Sequence, residues 1–247
     1  MPRSCAFCGG RPLSNEHILG QWLRTAFPPE DLVNGIHYRA NAATTHQHAQ
    51  GLLKATVKAV CEPCNNGWMS ELESGVKPFL PEMINGGRVF LDSEQQQLLA
   101  AWSLKTMLMM AKAHNPPEPI IPATDYTDFY RERRPSAVMV ARTGFAAVPE
   151  NAQIALASDF SCHALAVQDG YGYLATLRLG MFVVQIVRAG PFPGQVLKPF
   201  VPTWQLMPLW PVAEPRHWPP TFPIPDQDWA SLTTPDEVPL ELAPADA

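Results

Sequence analysis

The sequence predicts an α+β protein with an N-terminal zinc-binding module, followed by a helix and a C-terminal antiparallel β-rich part. Three observations lead to this prediction. The first 75 residues contain two Cys-x-x-Cys pairs, a spacing typical of structural zinc sites. A long apolar segment with a helix-capping signal follows the second pair. Beyond roughly residue 136, the chain breaks into short β-like runs separated by turns.

The composition is that of an ordinary globular protein. The chain has 247 residues, of which 46% are hydrophobic and 17% charged, so it can bury a sizeable core and is neither disordered nor membrane-like. No run approaches the roughly 18 consecutive apolar residues of a membrane span. The N-terminus lacks the apolar core of a signal peptide. We therefore expect a cytoplasmic protein, in which cysteines stay reduced and available for a metal.

The charge is unevenly distributed along the chain. The net charge of −5 argues against a protein whose whole surface binds DNA non-specifically. Residues 1–60 carry six Lys or Arg and three acidic residues, a balance of +3, so the remainder carries −8. The zinc region is thus the basic part of an acidic protein, which is compatible with a phosphate-containing substrate.

The two pairs, Cys5 with Cys8 and Cys61 with Cys64, supply the four thiolates of a closed tetrahedral zinc site. The spacing alone does not distinguish zinc from an iron–sulfur or rubredoxin-like centre. Cys162 stands apart in an apolar stretch, and we interpret it as a buried thiol.

The secondary-structure elements of the module are predicted from its turn-forming residues and from the spacing of its apolar residues. Residues 28–51 are polar and predict a long loop or a hairpin insertion. Apolar and polar residues alternate over 53–59, which predicts a strand leading to the second cysteine pair. Residues 68–73 predict a helix whose outer face is polar; Glu71 and Glu73 lie there, with Glu71 one to two turns from Asn65.

The rest of the chain divides into two further parts. Residues 76–116 form a predicted helical connector in the core, capped by Ser93 with Gln96. Residues 117–247 predict an α+β region of unknown function, with a hairpin at Leu179-Gly180. From residue 202 onward we expect an irregular, surface-packed tail rich in Pro and Trp.

The chemistry is concentrated in the N-terminal module. In a treble-clef zinc fold, the first knuckle leads into a β-hairpin and the second opens a helix. Asn65 directly follows the fourth cysteine, and Glu16 with His17 lies between the knuckles. We expect these three side chains to converge beside the zinc. The oxygens of Glu16 and Asn65 suit Mg²⁺, and His17 is a candidate base toward water. The set suits metal-dependent phosphodiester hydrolysis.

Three strings carry a family resemblance: CAFC at 5–8, SNEHI at 14–18 and CEPCNNGWMSELE at 61–73. Together they resemble the zinc-containing members of the HNH endonuclease superfamily, among uncharacterised bacterial and phage proteins. The resemblance covers roughly the first 75 residues and implies a ββα-metal fold acting on nucleic acid, with DNA the expected substrate.

The resemblance also implies roles for individual residues. Cys5, Cys8, Cys61 and Cys64 would hold structural zinc; His17 would be the general base; Glu16 and Asn65 would hold a catalytic Mg²⁺ or Mn²⁺.

The sequence departs from the family pattern at three points. Glu16 replaces the more usual Asp, and Gly20 stands where a Pro often follows. The middle Asn that orients the base has no clear equivalent; Thr56 occupies a family-like position, and Asn34 or Asn41 would serve only if the insertion folds back.

Alternatives remain open for single residues and for the whole protein. Asn65 is also a good helix cap. We interpret His46 and His48 as part of a solvated loop rather than as a second metal site. The two functional classes are an active HNH-type nuclease and a catalytically degenerate zinc module that binds nucleic acid or protein. Convergence of Glu16, His17 and Asn65 on one open point favours the nuclease.

Overall fold

The computed structural model of the protein describes residues 3–26, 37–40, 44–47, 55–114, 119–147, 158–167, 170–188, 195–197, 205–225, 228, 232 and 242–244. These residues form a mixed helix and sheet structure with antiparallel sheets, so the predicted fold class is confirmed at that level. None of the described helices is long and apolar enough to cross a membrane.

The described N-terminal part contains four strands: β1 (Leu13–His17), β2 (His37–Ala40), β3 (Thr44–Gln47) and β4 (Thr56–Cys61). Strands β1 and β4 pair antiparallel, so the strand predicted before the second cysteine pair is present. Strands β2 and β3 form an antiparallel hairpin within the polar insertion. A 3₁₀ turn over Gln21–Thr25 follows β1.

Helical structure begins at the second cysteine pair, as predicted. It runs through α1 (Glu62–Cys64), a π turn over Asn65–Met69, α2 (Ser70–Val76) and α3 (Leu80–Ile84). Gly67 departs from helical dihedrals, with φ −94° and ψ −116°. A π turn contains one more residue than an α turn, so the residues beyond it face other directions than a regular helix would give them.

The predicted core helix is α4 (Ser93–His114), which follows the short strand β5 (Val89–Leu91). Its cap lies one residue earlier than the sequence predicted. The Asp92 carboxylate accepts from the Gln95 backbone N–H at 2.8 Å, and the Gln95 side chain accepts from the Asp92 N–H at 3.1 Å. This reciprocal pair is a capping box. Gln96 is instead buried, and its amide donates to the carbonyls of Leu91 and Glu214.

The C-terminal part contains one helix and eight described strands: α5 (Ala123–Glu132), β6 (Met139–Phe145), β7 (Ser158–Val167), β8 (Gly170–Leu179), β9 (Phe182–Arg188), β10 (Gln195–Leu197), β11 (Met207–Trp210), β12 (Arg216–Trp218) and β13 (Leu242–Pro244). Five of them form an antiparallel sheet in the order β11-β6-β9-β8-β7. Gly180, with φ +58°, opens the two-residue loop of the β8–β9 hairpin, where the sequence predicted a turn.

The region predicted as an irregular tail contains strands in its described parts. Strand β11 lies at one edge of the five-stranded sheet, and β12 pairs with β5. Trp218 on β12 is fully buried. The difference has a physical reason, since a large aromatic side chain gains more by burial in the core than it would at the surface.

The zinc module and the C-terminal sheet share one core. Cys5, Trp102 and Leu209 belong to the same cluster of buried residues. At the end of α5 the Arg133 guanidinium lies 4.5 Å from the centre of the Trp68 ring, in the position of a cation–π contact. The helix α4 therefore packs between the cysteine module and the sheet.

Candidate metal centre and the adjoining polar cluster

The four cysteines of the two pairs meet in one place. Their sulfur atoms all lie within 4.8 Å of one another, with Cys5 Sγ 3.9 Å from Cys64 Sγ and Cys8 Sγ 3.4 Å from Cys61 Sγ. Four sulfurs around a zinc ion at the usual bond length are about 3.8 Å apart. The cluster is therefore compatible with structural zinc, as predicted.

The first cysteine pair sits in a tight backbone turn. The Gly9 N–H donates to the Cys5 carbonyl at 2.9 Å, and the Gly10 N–H points at Cys8 Sγ at 3.3 Å. Gly9 has φ +74°, a conformation that glycine adopts without strain. The turn thus brings the two sulfurs to one side of the backbone and lets the Gly10 N–H donate to one of them, as in a zinc knuckle.

All five cysteines are reduced, and three of the four cluster members are buried, with Cys8 exposed. Burial raises the pKa of the Cys64 thiol. A bound cation would favour the thiolate and release the proton, so metal binding and deprotonation are coupled here. Cys162 lies fully buried away from the cluster, as the sequence predicted.

The pKa of Glu16 reflects burial and the influence of Lys105, Glu73 and Asn65. Glu16 lies on β1 and Asn65 opens the π turn directly after Cys64. Burial raises the pKa of the Glu16 carboxyl, and attraction to Lys105 opposes that effect. Repulsion from Glu73 raises the pKa further, while a hydrogen bond from the Asn65 side chain lowers it, and the balance is a raised pKa.

His17 ends β1 and is partly exposed rather than packed into the core. The Gln21 Nε2 atom lies 3.3 Å from both of its ring nitrogens. In the neutral ring one nitrogen carries the N–H and the other the lone pair, and the two point in different directions, so one amide group cannot satisfy both. At least one imidazole nitrogen is therefore left for another partner.

Of the three candidates for the residue that orients the base, the structure describes Thr56. Thr56 lies directly opposite His17 in the β1–β4 register, where side chains on an antiparallel pair interact. The other two candidates for this Asn, Asn34 and Asn41, lie outside the described residues.

The two histidines of the polar insertion were considered as a second metal site. His48 lies outside the described residues, and His46 lies on β3, of which the structure describes the backbone.

A partly buried carboxylate, Glu73, is the acceptor of a second polar cluster in the module. Its Oε1 atom accepts hydrogen bonds from Trp102 Nε1 at 3.0 Å and from the Lys105 ammonium. Its Oε2 atom accepts from Trp22 Nε1 at 2.6 Å. Helices α2 and α4 and the 3₁₀ turn thus converge on one side chain.

The sequence predicted that Glu73 lies on a polar outer face, and the structure differs because the helix is kinked at Gly67 within the π turn. The residues beyond the kink are turned relative to Asn65, so that Glu73 reaches two indoles and Lys105 while Glu71 is exposed. A usable signal was present elsewhere, since Lys105 is the one charged residue in the apolar segment 98–111 of α4.

Gly20 also has a steric role in this cluster. A Cβ atom at Gly20 would fall inside contact distance of Trp22 Nε1 and Glu73 Oε2. No side chain fits there, so the family-like Pro at this position would not fit either. The backbone at Gly20 can approach the indole–carboxylate pair because glycine lacks a side chain.

The four cysteines are the one group of three or more His, Cys, Asp or Glu in the described part of the chain that could hold a metal ion. Glu16 and Asn65, which the sequence singled out for Mg²⁺, would supply two oxygen ligands. Mg²⁺ is commonly bound by one or two protein ligands, with water and substrate phosphate completing its coordination.

No match to the chain is found among known protein families, curated proteins or solved structures.

Proposed function

We propose that the protein is an HNH-type, metal-dependent endonuclease that hydrolyses phosphodiester bonds in DNA. In this proposal the N-terminal module is a treble-clef, ββα-metal fold. The observation that carries the proposal is the pairing of β1 with β4, which places Glu16 and His17 on the strand beside the one that leads into the second cysteine pair and Asn65. A module that served only to bind zinc would not need a partly buried carboxylate at that position.

Asn65 is a candidate ligand as well as a helix residue. A hydrogen bond with its side chain lowers the pKa of the Glu16 carboxyl. The Asn65 amide oxygen and the Glu16 carboxylate are both hard oxygen donors of the kind that Mg²⁺ prefers. When bound, a Mg²⁺ or Mn²⁺ ion would stabilise the developing charge on the phosphodiester and its leaving oxygen.

His17 acts as the general base in this proposal. With the Gln21 amide turned so that its oxygen accepts from the ring N–H, the other, unprotonated nitrogen of the partly exposed imidazole takes a proton from the attacking water. The Gln21 amide orients the ring, the task for which the sequence offered no Asn.

Plasmid nicking tests the proposal. Purified, zinc-loaded protein is incubated with supercoiled plasmid and Mg²⁺ or Mn²⁺, beside the variants His17→Ala and His217→Ala. His217 is an exposed histidine on β12 and serves as the matched control. We expect metal-dependent nicking that falls by at least about 100-fold in His17→Ala, the usual contribution of a general base, and that persists in His217→Ala.

Two results would contradict the proposal or the role it gives to His17. A folded, zinc-containing wild type that does not cut DNA with either cation would reject the nuclease proposal for DNA. Equal losses in the two histidine variants would remove His17 from the role of base.

A catalytically degenerate zinc module that binds nucleic acid or protein is the second candidate. The small number of ligands at the Glu16–Asn65 centre favours it, since two protein ligands hold a cation weakly in the absence of substrate. Binding of DNA without cleavage, unchanged by Mg²⁺ and by His17→Ala, would support this candidate.

A further inference from the structure

Three arginines lie close together at the C-terminal end of α5. Residues 131–134 read Arg-Glu-Arg-Arg, in a part of the chain whose other charges are mostly acidic. The Arg131 side chain is 73% exposed and the Arg134 side chain 51%, and Arg133 is partly exposed. This end of the helix therefore presents three guanidinium groups to the solvent.

Arg133 has an unusual backbone conformation. Its φ is +57°, and it is the one non-glycine residue with a positive φ in the described part of the chain. Helices often end on glycine in this conformation, because a side chain crowds the backbone there. The Arg133 guanidinium lies 4.5 Å from the centre of the Trp68 ring and 4.2 Å from that of the Tyr130 ring, and it donates to the Tyr130 carbonyl. The two rings thus hold the charged group in one place.

The positive charge of these arginines is only partly compensated. Arg133 has no carboxylate partner among the described residues. Arg131 lies 3.6 Å from Asp128, and Arg134 lies 3.5 Å from Glu132. Both distances exceed a typical hydrogen bond, and such exposed pairs are weak. The arginine patch, defined as Arg131, Arg133 and Arg134, therefore has positive charge available for an anion.

The arginine patch touches the zinc module directly. Trp68, whose ring contacts Arg133, lies in the same π turn as Asn65. The Trp68 ring also lies 6.3 Å from the Tyr130 ring of α5, in an edge-to-face arrangement. An anion bound by the patch would therefore lie beside the turn that begins with Asn65.

The arrangement of the patch suits a chain of phosphates better than one small anion. Arg133 lies against Trp68 and Tyr130, whereas Arg134 lies 5.9 Å from the centre of the Trp210 ring. The guanidinium groups are thus directed to different rings, which spreads their charge along the surface. Phosphates of DNA are spread in the same way, and arginine binds phosphate oxygens with paired N–H groups.

We propose that the arginine patch binds the phosphate backbone of duplex DNA and holds it against the zinc module. The inference rests on the proposed function, for which it names a substrate-binding surface. The patch contacts phosphates, which position a duplex without reading its sequence. Helix α5, outside the cysteine module, thereby takes part in placing the substrate.

The test measures binding of zinc-loaded protein to a short fluorescein-labelled DNA duplex by fluorescence anisotropy. No Mg²⁺ or Mn²⁺ is added, and salt is varied from about 50 mM to about 200 mM. The patch variants are Arg131→Gln, Arg134→Gln, their double variant and Arg133→Met. Two exposed arginines elsewhere serve as matched controls, in Arg88→Gln and Arg216→Gln. Zinc content and thermal unfolding verify that each variant is folded.

We expect each patch variant to bind the duplex more weakly and with less dependence on salt. The slope of log affinity against log salt should become shallower by about 0.9 for each phosphate contact removed, and by about 1.8 in the double variant. The two control variants should keep the wild-type slope. If Arg133→Met does not fold, Arg131→Gln and Arg134→Gln decide the inference.

Glu132→Gln separates an electrostatic role from a structural one. This variant removes the carboxylate that competes with phosphate for Arg134. Binding should therefore tighten by about twofold to fivefold, the scale of an exposed ion pair. If the pair of Glu132 and Arg134 served only the fold, loss of either residue would weaken binding or leave it unchanged.

Three results would overturn the inference. The first is an equal salt slope in the wild type and the patch variants. The second is an equal loss in the control variants, which would mean that binding is spread over the whole surface. The third is a wild type that does not bind the duplex at the lowest salt concentration.

The outcome is separable from that of the nuclease proposal, because binding is measured without the cation that cleavage requires. Shallower slopes in the patch variants without plasmid nicking would keep the arginine patch and reject the nuclease. Nicking by the wild type with equal slopes in all variants would keep the nuclease and reject the patch.

Discussion

Neighbouring residues of the same type have different roles in this module because their surroundings differ. Asn65 and Asn66 are consecutive amides after Cys64, yet Asn65 is partly buried against Glu16 and Asn66 is exposed. Glu71 and Glu73 differ in the same way on α2. The residue scale therefore offers pairs of substitutions that are chemically identical and structurally distinct.

Asn65→Ala removes one proposed metal ligand and the hydrogen bond to Glu16. We expect Mn²⁺ affinity to fall by at least about tenfold, while Asn66→Ala stays at the wild-type value. Titration of zinc-loaded protein with Mn²⁺ measures both. Equal affinities in the two variants would show that Asn65 only caps its helix.

Asp125 gives a prediction about pH. Its carboxylate lies 2.9 Å from the Arg188 Nε atom, but burial raises its pKa above the ordinary 3.8, against the attraction of Arg188. The folded chain then holds this proton more firmly than the unfolded chain. The contribution of Asp125 to the free energy of unfolding is full below pH 3.8 and is lost as pH rises through the folded pKa.

Asp125→Asn should remove that part of the pH dependence. Urea unfolding of the wild type and the variant from pH 4 to pH 7 measures it, with Asp128→Asn, an exposed neighbour on α5, as the control. If the free energy of unfolding of Asp125→Asn depends on pH as steeply as that of the wild type, the prediction is wrong.

At the scale of elements, α4 joins the two halves of the protein and also supplies polar groups. Its first turn is fixed by the Asp92–Gln95 capping box, and its apolar surface is buried on nearly all sides. Trp102 and Lys105, three residues apart, lie on the same face and both reach Glu73. The helix thus acts as a core element and as one wall of the candidate site.

The Trp102–Glu73 hydrogen bond should appear as a coupling energy. In a double-mutant cycle with Trp102→Phe and Glu73→Gln, we expect the two costs to be non-additive by about 1 kcal/mol in the free energy of unfolding. Trp210→Phe with Glu73→Gln is the control, since the Trp210 indole donates to the Ser136 carbonyl instead. Urea unfolding provides the values, and additive costs in both cycles would refute the coupling.

At the scale of the whole molecule, the cysteine cluster lies within a core that extends to the C-terminal sheet. Phe7, between the first two cysteines, packs 5.2 Å from the Trp68 ring and 5.5 Å from the Tyr126 ring of α5. Loss of the metal would therefore loosen more than the first 75 residues.

Removing zinc should lower the midpoint of one cooperative thermal transition. The shift should exceed about 10 °C, because 1 kcal/mol corresponds to about 2–4 °C at this chain length and structural zinc contributes about 10 kcal/mol or more to folding. Circular dichroism with and without a chelator measures it, and added zinc should reverse it. Cys162→Ala is the control, and this variant should still bind one zinc per chain. An unchanged midpoint after zinc removal would show that the metal does not stabilise the shared core.

The local patterns of the sequence were enough for several features. Cysteine spacing indicated which four thiols meet, because a zinc knuckle is a short-range backbone structure. Alternation and turn residues indicated β4, β6, β8 and β9 and the hairpin at Gly180, since strand periodicity and glycine dihedrals are local properties.

Tertiary structure decided what no local pattern contains. The kink at Gly67 turned Glu73 inward, and only the packing of α4 against α2 brought Lys105 and Trp102 to Glu73. The burial of Trp218 turned part of an expected loose tail into a strand beside β5. Each of these depends on contacts between residues far apart in the chain, whose free energy cannot be read from any single segment.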